Sequence, residues 1–126
     1  MLNILLAGKD PEALADFAAE LSLREEIKLI RVASGREARA YLENLKVDVV
    51  VTDEVFADGA ALPFVHELIK EYPLINCAMV SGLGQKGFHE ATEGLGIFMQ
   101  LPVDPGAEEA VKMLLLLESI DALMGM

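Results

Sequence analysis

Residues 5–14, LLAGKDPEAL, pass in one step from a strand into a helix. The apolar run that opens at Leu2 ends at Ala7, a length that suits a strand buried on both faces. Asp10 is suited to cap a helix and Pro11 to occupy its first turn, where a missing N–H costs nothing. Leu14, Phe17, Ala18 and Leu21 then recur at helical spacing, which predicts a helix over residues 11–23. A strand that feeds directly into a helix is the unit of a parallel α/β sheet, and the turn between them is where such sheets keep their chemistry.

The same alternation runs through the rest of the chain. Residues 27–33, 47–52, 75–80 and 96–101 read as four further strands, the one over 47–52 ending at Asp53. Ser34-Gly35-Arg36-Glu37 is a capping box that opens a helix running to about Leu45, with Ala38, Tyr41 and Leu42 on one side. After a Gly/Ala-rich loop, a helix over 62–71 buries Leu62, Val65, Leu68 and Ile69. A weak helix lies within 84–94, and Asp104-Pro105 starts a last one. Five βα units joined by right-handed crossovers predict a flavodoxin-like, doubly wound five-stranded parallel sheet of order 2-1-3-4-5 with five helices. The functional crevice then lies at the carboxyl ends of the first and third strands.

Composition bounds the rest. A chain of 126 residues makes one domain, 1–126, and 53% hydrophobic residues suffice for its core. A net charge of −11 argues against nucleic acid as a partner, because phosphate is repelled. The single cysteine, Cys77, forms no internal disulfide and sits in the apolar stretch INCAMVSG as an inert core thiol. The apolar N-terminus lacks a basic leader, and no apolar run is long enough to cross a bilayer. The expected location is cytoplasmic, with no membrane partner. His66 and His89 stand alone, without the neighbours a metal site needs.

The strand ends bring Gly8, Lys9 and Asp10, then Asp53 and Glu54, then Ser81 and Gly82, then Leu101 and Pro102 to one rim. VDVVVTD, MVSG and GIFMQLP on three successive strands resemble the receiver domain of two-component response regulators, over nearly the whole chain. The resemblance implies that Asp53 stands at the phospho-acceptor position, Ser81 at the hydroxyl that contacts the phosphoryl group, and Phe98 at the switch aromatic. Pro102 matches the proline before the last helix. The resemblance also implies two adjacent acids holding magnesium, and Gly8 and Lys9 occupy those positions. It implies a lysine where Leu101 stands, and Met-Pro where Phe56-Ala57 stand. Asp10 matches only a third acidic position. Phosphoryl transfer brings anionic oxygens against a carboxylate, and magnesium and a lysine normally neutralise that charge. A site of Gly8, Lys9 and Leu101 is therefore expected to have lost magnesium and to use no cofactor. Two placements are open to Lys9: an ion pair with Asp53 that keeps the crevice neutral, or a solvated chain. GK is not a phosphate-binding glycine loop, since the other glycine and the following Ser/Thr are absent.

The last helix carries more apolar residues than one sheet-facing stripe needs. Ala110, Val111, Leu114, Leu115 and Leu117 are assigned to the sheet. Met113, Leu116, Ile120, Leu123 and Met124 are assigned to an outward interface for a homodimer or another protein. The expected function is a non-enzymatic, receiver-like signalling module, a pseudo-receiver acting by protein–protein contact independently of phosphorylation. A histidine kinase or another signalling protein is the expected partner. The alternatives are a working phospho-acceptor that takes a phosphoryl group from a histidine kinase on Asp53, and a flavodoxin-like ligand-binding protein. The stretch AGKDPE lacks the phosphate-cradling Ser, Thr and Gly that the last of these wants.

Overall fold

The computed structural model describes residues 2–124, with side chains to residue 120. In chain order the elements are β1 (Leu2–Ala7), α1 (Ala15–Ser22), β2 (Ile27–Val32), α2 (Gly35–Asn44), β3 (Val49–Thr52), β4 (Val55–Phe56), β5 (Gly59–Ala60), α3 (Ala61–Glu71), β6 (Asn76–Val80), α4 (Gln85–Ala91), β7 (Met99–Leu101) and α5 (Ala107–Met124). β2, β1, β3, β6 and β7 form one parallel sheet in that order. Once the β4–β5 hairpin is set aside, this is the expected flavodoxin-like order, with five helices.

The inner strands are mostly apolar because both faces are covered, while the edge strand β2 leaves Lys28 and Arg31 exposed. Alternate residues sort into two cores. Leu5, Ala7, Val50, Cys77 and Met79 face α2, α3 and α4. Ile4, Leu6, Val49, Val51, Ala78, Val80 and Leu101 face α1 and α5. Ala7 pairs with Val32 on one side and Thr52 on the other, so β1 and β3 end level. Gly8 and Asp53 therefore leave the sheet side by side. Among the described residues no helix is long and apolar enough to cross a membrane.

Local sequence explains most boundaries. The Ser34 hydroxyl accepts the Glu37 N–H at 3.1 Å, the N-cap its spacing predicts, while Glu37 Oε1 accepts the Ala33 N–H one residue before the bond of a full capping box. Two helix starts differ from expectation. Residues 11–14 form tight turns closed by Ala13 N–H on Asp10 O and Ala15 N–H on Glu12 O, and α1 begins only at Ala15. Asp10 holds this turn by accepting the Glu12 N–H at 3.0 Å, rather than capping the helix. At the other end Asp104 adopts φ 53°, a left-handed conformation that an N-cap cannot use, and α5 starts at Ala107.

The Gly/Ala-rich loop holds the β4–β5 hairpin. Its tip residue, Asp58, accepts the N–H groups of Gly35 and Arg36 at 2.9 and 3.2 Å, and these amides hold its carboxyl below the ordinary aspartate range. Phe56 sits edge-to-face on Phe64 of α3, ring centroids 5.3 Å apart. Arg39 of α2 stacks over Phe64 and pairs with Glu67 and Glu71.

The face of α5 also differs. Ala110, Met113 and Leu117 are buried, while Val111, Leu115 and Leu116 are exposed. Met113, assigned outward from sequence, is core, and Val111 and Leu115, assigned to the sheet, face out. Packing on α1 sets the rotation of α5: small Ala110 allows close approach and the unbranched Met113 chain fills the space. Of the remaining interface positions, Leu116 is exposed and Ile120 half-buried, and the side chains of Leu123 and Met124 lie outside the described residues.

Candidate functional site

Asp53 is the first residue beyond β3. Its N–H donates to Ala7 O at 2.8 Å, and its Oδ1 accepts the Glu54 N–H at 2.8 Å. The carboxyl is half-buried. Burial pushes it above the ordinary aspartate range; the Glu54 N–H pulls it back, and the charges of Glu54, Asp104 and Asp10 push it up again.

Gly8 is pressed against this side chain. A Cβ on Gly8 would stand 2.8 Å from Asp53 Cβ, a distance real side chains do not adopt, so a bare Cα is what the close approach of β1 and β3 requires here. Lys9 donates its N–H to Val55 O at 2.9 Å, which ties the turn to the hairpin. Its side chain is exposed, and none of the ion pairs among the described residues includes it. The pair with Asp53 raised as one option from sequence is not formed. An exposed ammonium keeps its hydration, and such a pair returns at most about 1 kcal/mol.

Ser81, half-buried at the end of β6, bonds to Leu101 O through its N–H at 3.0 Å, and its Oγ accepts the Leu83 N–H at 3.1 Å. Leu101 is fully buried in the core shared with α1 and α5, so its side chain contributes no polar group to the crevice. Phe98 is half-buried against the same core, its N–H on Cys77 O. The rim thus brings Gly8 and Asp53 together, with Ser81 just beyond the end of the neighbouring strand β6 and Asp10 near enough to act on Asp53 by charge, and leaves the Lys9 and Leu101 side chains out.

Two residues beside Asp53, Gly8 and Lys9, offer magnesium no side-chain oxygen. Magnesium demands near-octahedral oxygen ligands. Gly8 brings no side chain and Lys9 a cation, and among the described residues no three His, Cys, Asp or Glu side chains converge as a metal site.

Sequence reasoning placed Glu54 on the rim without giving it a role. Its Oε2 accepts the Gly82 N–H at 3.0 Å across the crevice. No sequence signal marks this bond, which joins a side chain to a main-chain amide 28 residues away. An open groove of about 640 Å³ lies away from the rim between α2, the hairpin and α3, and a hollow of about 240 Å³ beneath the β1–α1 turn is lined in part by Gly8 and Asp10. Neither is lined by Asp53. His66 and His89 are exposed. Cys77 is fully buried in β6, and burial pushes its thiol up to about 12.

A stability prediction follows from the Asp53 carboxyl. A carboxyl whose folded pKa is raised contributes most below the unfolded aspartate value, and that contribution is lost as pH rises through the folded value. At neutral pH its ionised form is therefore unfavourable. Asp53→Asn is expected to stabilise the protein at pH 7 by a few tenths to about 1 kcal/mol, the partial exposure limiting the gain. The gain should vanish below about pH 4, near the unfolded value. Urea titrations of both proteins across that pH range check it.

No family model matches the sequence, and no curated protein sequence matches it. Solved structures do resemble it. The signal receiver domain of an HD domain-containing protein from Pseudomonas fluorescens superposes with a TM-score of 0.81 at 17% identity, covering 98% of this chain and 92% of that one. A CheY-like response regulator receiver domain protein from Methanospirillum hungatei gives 0.80 at 17% identity, covering 97% and 95%. A chemotaxis response regulator of Vibrio cholerae gives 0.78 at 18% identity, covering 90% and 96%. With the strand order and Asp53 at the carboxyl end of β3, these likenesses give the fold: it is that of the CheY-like response-regulator receiver domain.

Proposed function

We propose that this chain is a receiver-like signalling module of two-component type, a pseudo-receiver that acts by protein–protein contact without phosphorylation at Asp53. It is a binding module in the cytoplasm, not an enzyme, and it uses no magnesium. The observation that carries the reading is the contact of Gly8 with Asp53. At the position from which a receiver would offer a metal-binding acid, any side chain would meet Asp53, since a Cβ on Gly8 would stand 2.8 Å from Asp53 Cβ. The buried Leu101 supports it, since no ammonium projects from that position to meet a phosphoryl group. Without metal or lysine, the barrier to transfer rises by several kcal/mol, which is orders of magnitude in rate.

The proposed partner is a protein, either a histidine kinase or another signalling component. The outer face of α5, with Val111, Leu115 and Leu116, is proposed as a self-association surface.

Treatment with an acyl phosphate and magnesium, followed by intact-mass and peptide mass spectrometry, tests the central claim. Asp53 is expected to stay unmodified. A stable aspartyl phosphate on Asp53 would instead establish the phospho-acceptor reading, which the half-buried carboxylate and the nearby Ser81 support.

A further inference from the structure

The β6–α4 turn, residues 81–84, is held from several sides. Leu83 donates its N–H to Ser81 Oγ at 3.1 Å, and Gln100 Nε2 donates to Leu83 O at 2.8 Å. Gly82, between them, gives its N–H to Glu54 Oε2, which comes from the opposite wall of the crevice, 28 residues away in sequence. Gly82 is exposed, and a Cβ there would make ordinary contact with Val103 Cγ2 at 3.4 Å and Glu54 Oε2 at 3.8 Å. Glu54 is itself fixed at both main-chain groups, its N–H on Asp53 Oδ1 and its C=O accepting the Ala61 N–H at 3.0 Å. Ordering its backbone therefore costs nothing extra, and only side-chain rotamers remain to be fixed. A carboxylate on a main-chain amide is a charge-assisted bond, here between two exposed residues and so partly screened by water.

We infer that Glu54 is a built-in anionic latch: its carboxylate occupies the Gly82 amide, fixes the β6–α4 turn beside Asp53, and keeps free anions from that amide. The inference deepens the proposed function and rests on it, because a module that works without phosphorylation needs its crevice held in one state from within. Leu83 and Val103, 51% and 52% exposed, then form a constant apolar rim on the latched turn.

Amide exchange and phosphate titration of the full chain by NMR test the latch. In Glu54→Ala the Gly82 amide is expected to lose about tenfold in protection, and in Glu54→Gln less, since the carboxamide oxygen still accepts. Inorganic phosphate is expected to shift the Gly82 amide in Glu54→Ala and to leave it in place in the unaltered protein. Equal Gly82 exchange in the unaltered protein and Glu54→Ala overturns the latch, as does a saturable phosphate shift of Gly82 in the unaltered protein. Should Glu54→Ala not fold, Glu54→Gln decides alone: a partial loss of protection supports the latch and an unchanged rate overturns it. The two readings fail separately. Phosphorylated Asp53 with Gly82 protected removes the proposed function and keeps the latch, and unmodified Asp53 with Gly82 unprotected does the reverse.

Discussion

Met113→Ala is expected to cost about 2–5 kcal/mol of stability, read as a fall in the urea midpoint at unchanged slope. Met113 is fully buried where α5 meets α1, in the core that contains Leu6, Phe17, Leu101 and Ala110. Truncation removes three heavy atoms from a region with no solvent path, and the rigid sheet beneath cannot collapse into the hole. Leu116→Glu, three residues on, is the matched control. Leu116 is 38% exposed, so the charge stays wet and stability should change by no more than about 0.5 kcal/mol. Sedimentation of the same variant reads the proposed self-association. A more monomeric Leu116→Glu supports it, and identical behaviour of the variant and the unaltered protein at high concentration removes it.

Gly8→Asp, which returns an acid to the end of β1, is expected to destabilise the protein by about 1–3 kcal/mol at neutral pH. Two causes add. The new Cβ lands 2.8 Å from Asp53 Cβ, so one of the strand ends must shift. The new charge also faces a carboxyl already pushed up by burial and by Glu54, Asp104 and Asp10. It raises that carboxyl further, so the electrostatic part of the loss is full above the raised value and disappears below the unfolded aspartate value of about 3.9. The steric part persists at every pH, and Gly8→Ala isolates it. Denaturant titrations of both variants at neutral and acidic pH separate the two. The same geometry shows why Gly8→Asp, Lys9→Asp and Leu101→Lys together make no simple graft. Leu101 is sealed in the core, and a lysine there must thread its stem to water or bury an ammonium.

The sheet was legible because each strand is a short apolar run bounded by turn residues, and β1 matches its predicted bounds at both ends. Leu14, Phe17, Ala18 and Leu21 are buried as their spacing requires. The β4–β5 hairpin was not legible, since two-residue strands carry no periodicity. The Asp-Pro pairs at 10–11 and 104–105 look alike in sequence, yet one holds a tight turn and the other takes a left-handed bend before its helix. Asx chemistry serves turns and caps equally well, and tertiary contacts choose between them. The rotation of α5 was hidden for a different reason. Leu114-Leu115-Leu116-Leu117 is apolar at every phase, so only contact with α1 selects the buried stripe. At the site, the positions of Asp53 and Ser81 were readable from the strand ends. The Glu54–Gly82 bond was not, because it joins residues 28 apart through a main-chain amide that sequence does not display.

The position of Cys77 gives the molecule its own stopwatch. The thiol lies in β6, an inner strand of the sheet, with its ionisation pushed up to about 12 by burial. Only a thiolate that meets solvent is alkylated, so an intact molecule stays unlabelled. Each alkylation event therefore records an excursion in which the core between β6 and the helices over it has opened. A time course with a small alkylating reagent counts such excursions directly, with no probe added to the chain, and when reclosure is fast its rate follows the population of the opened state.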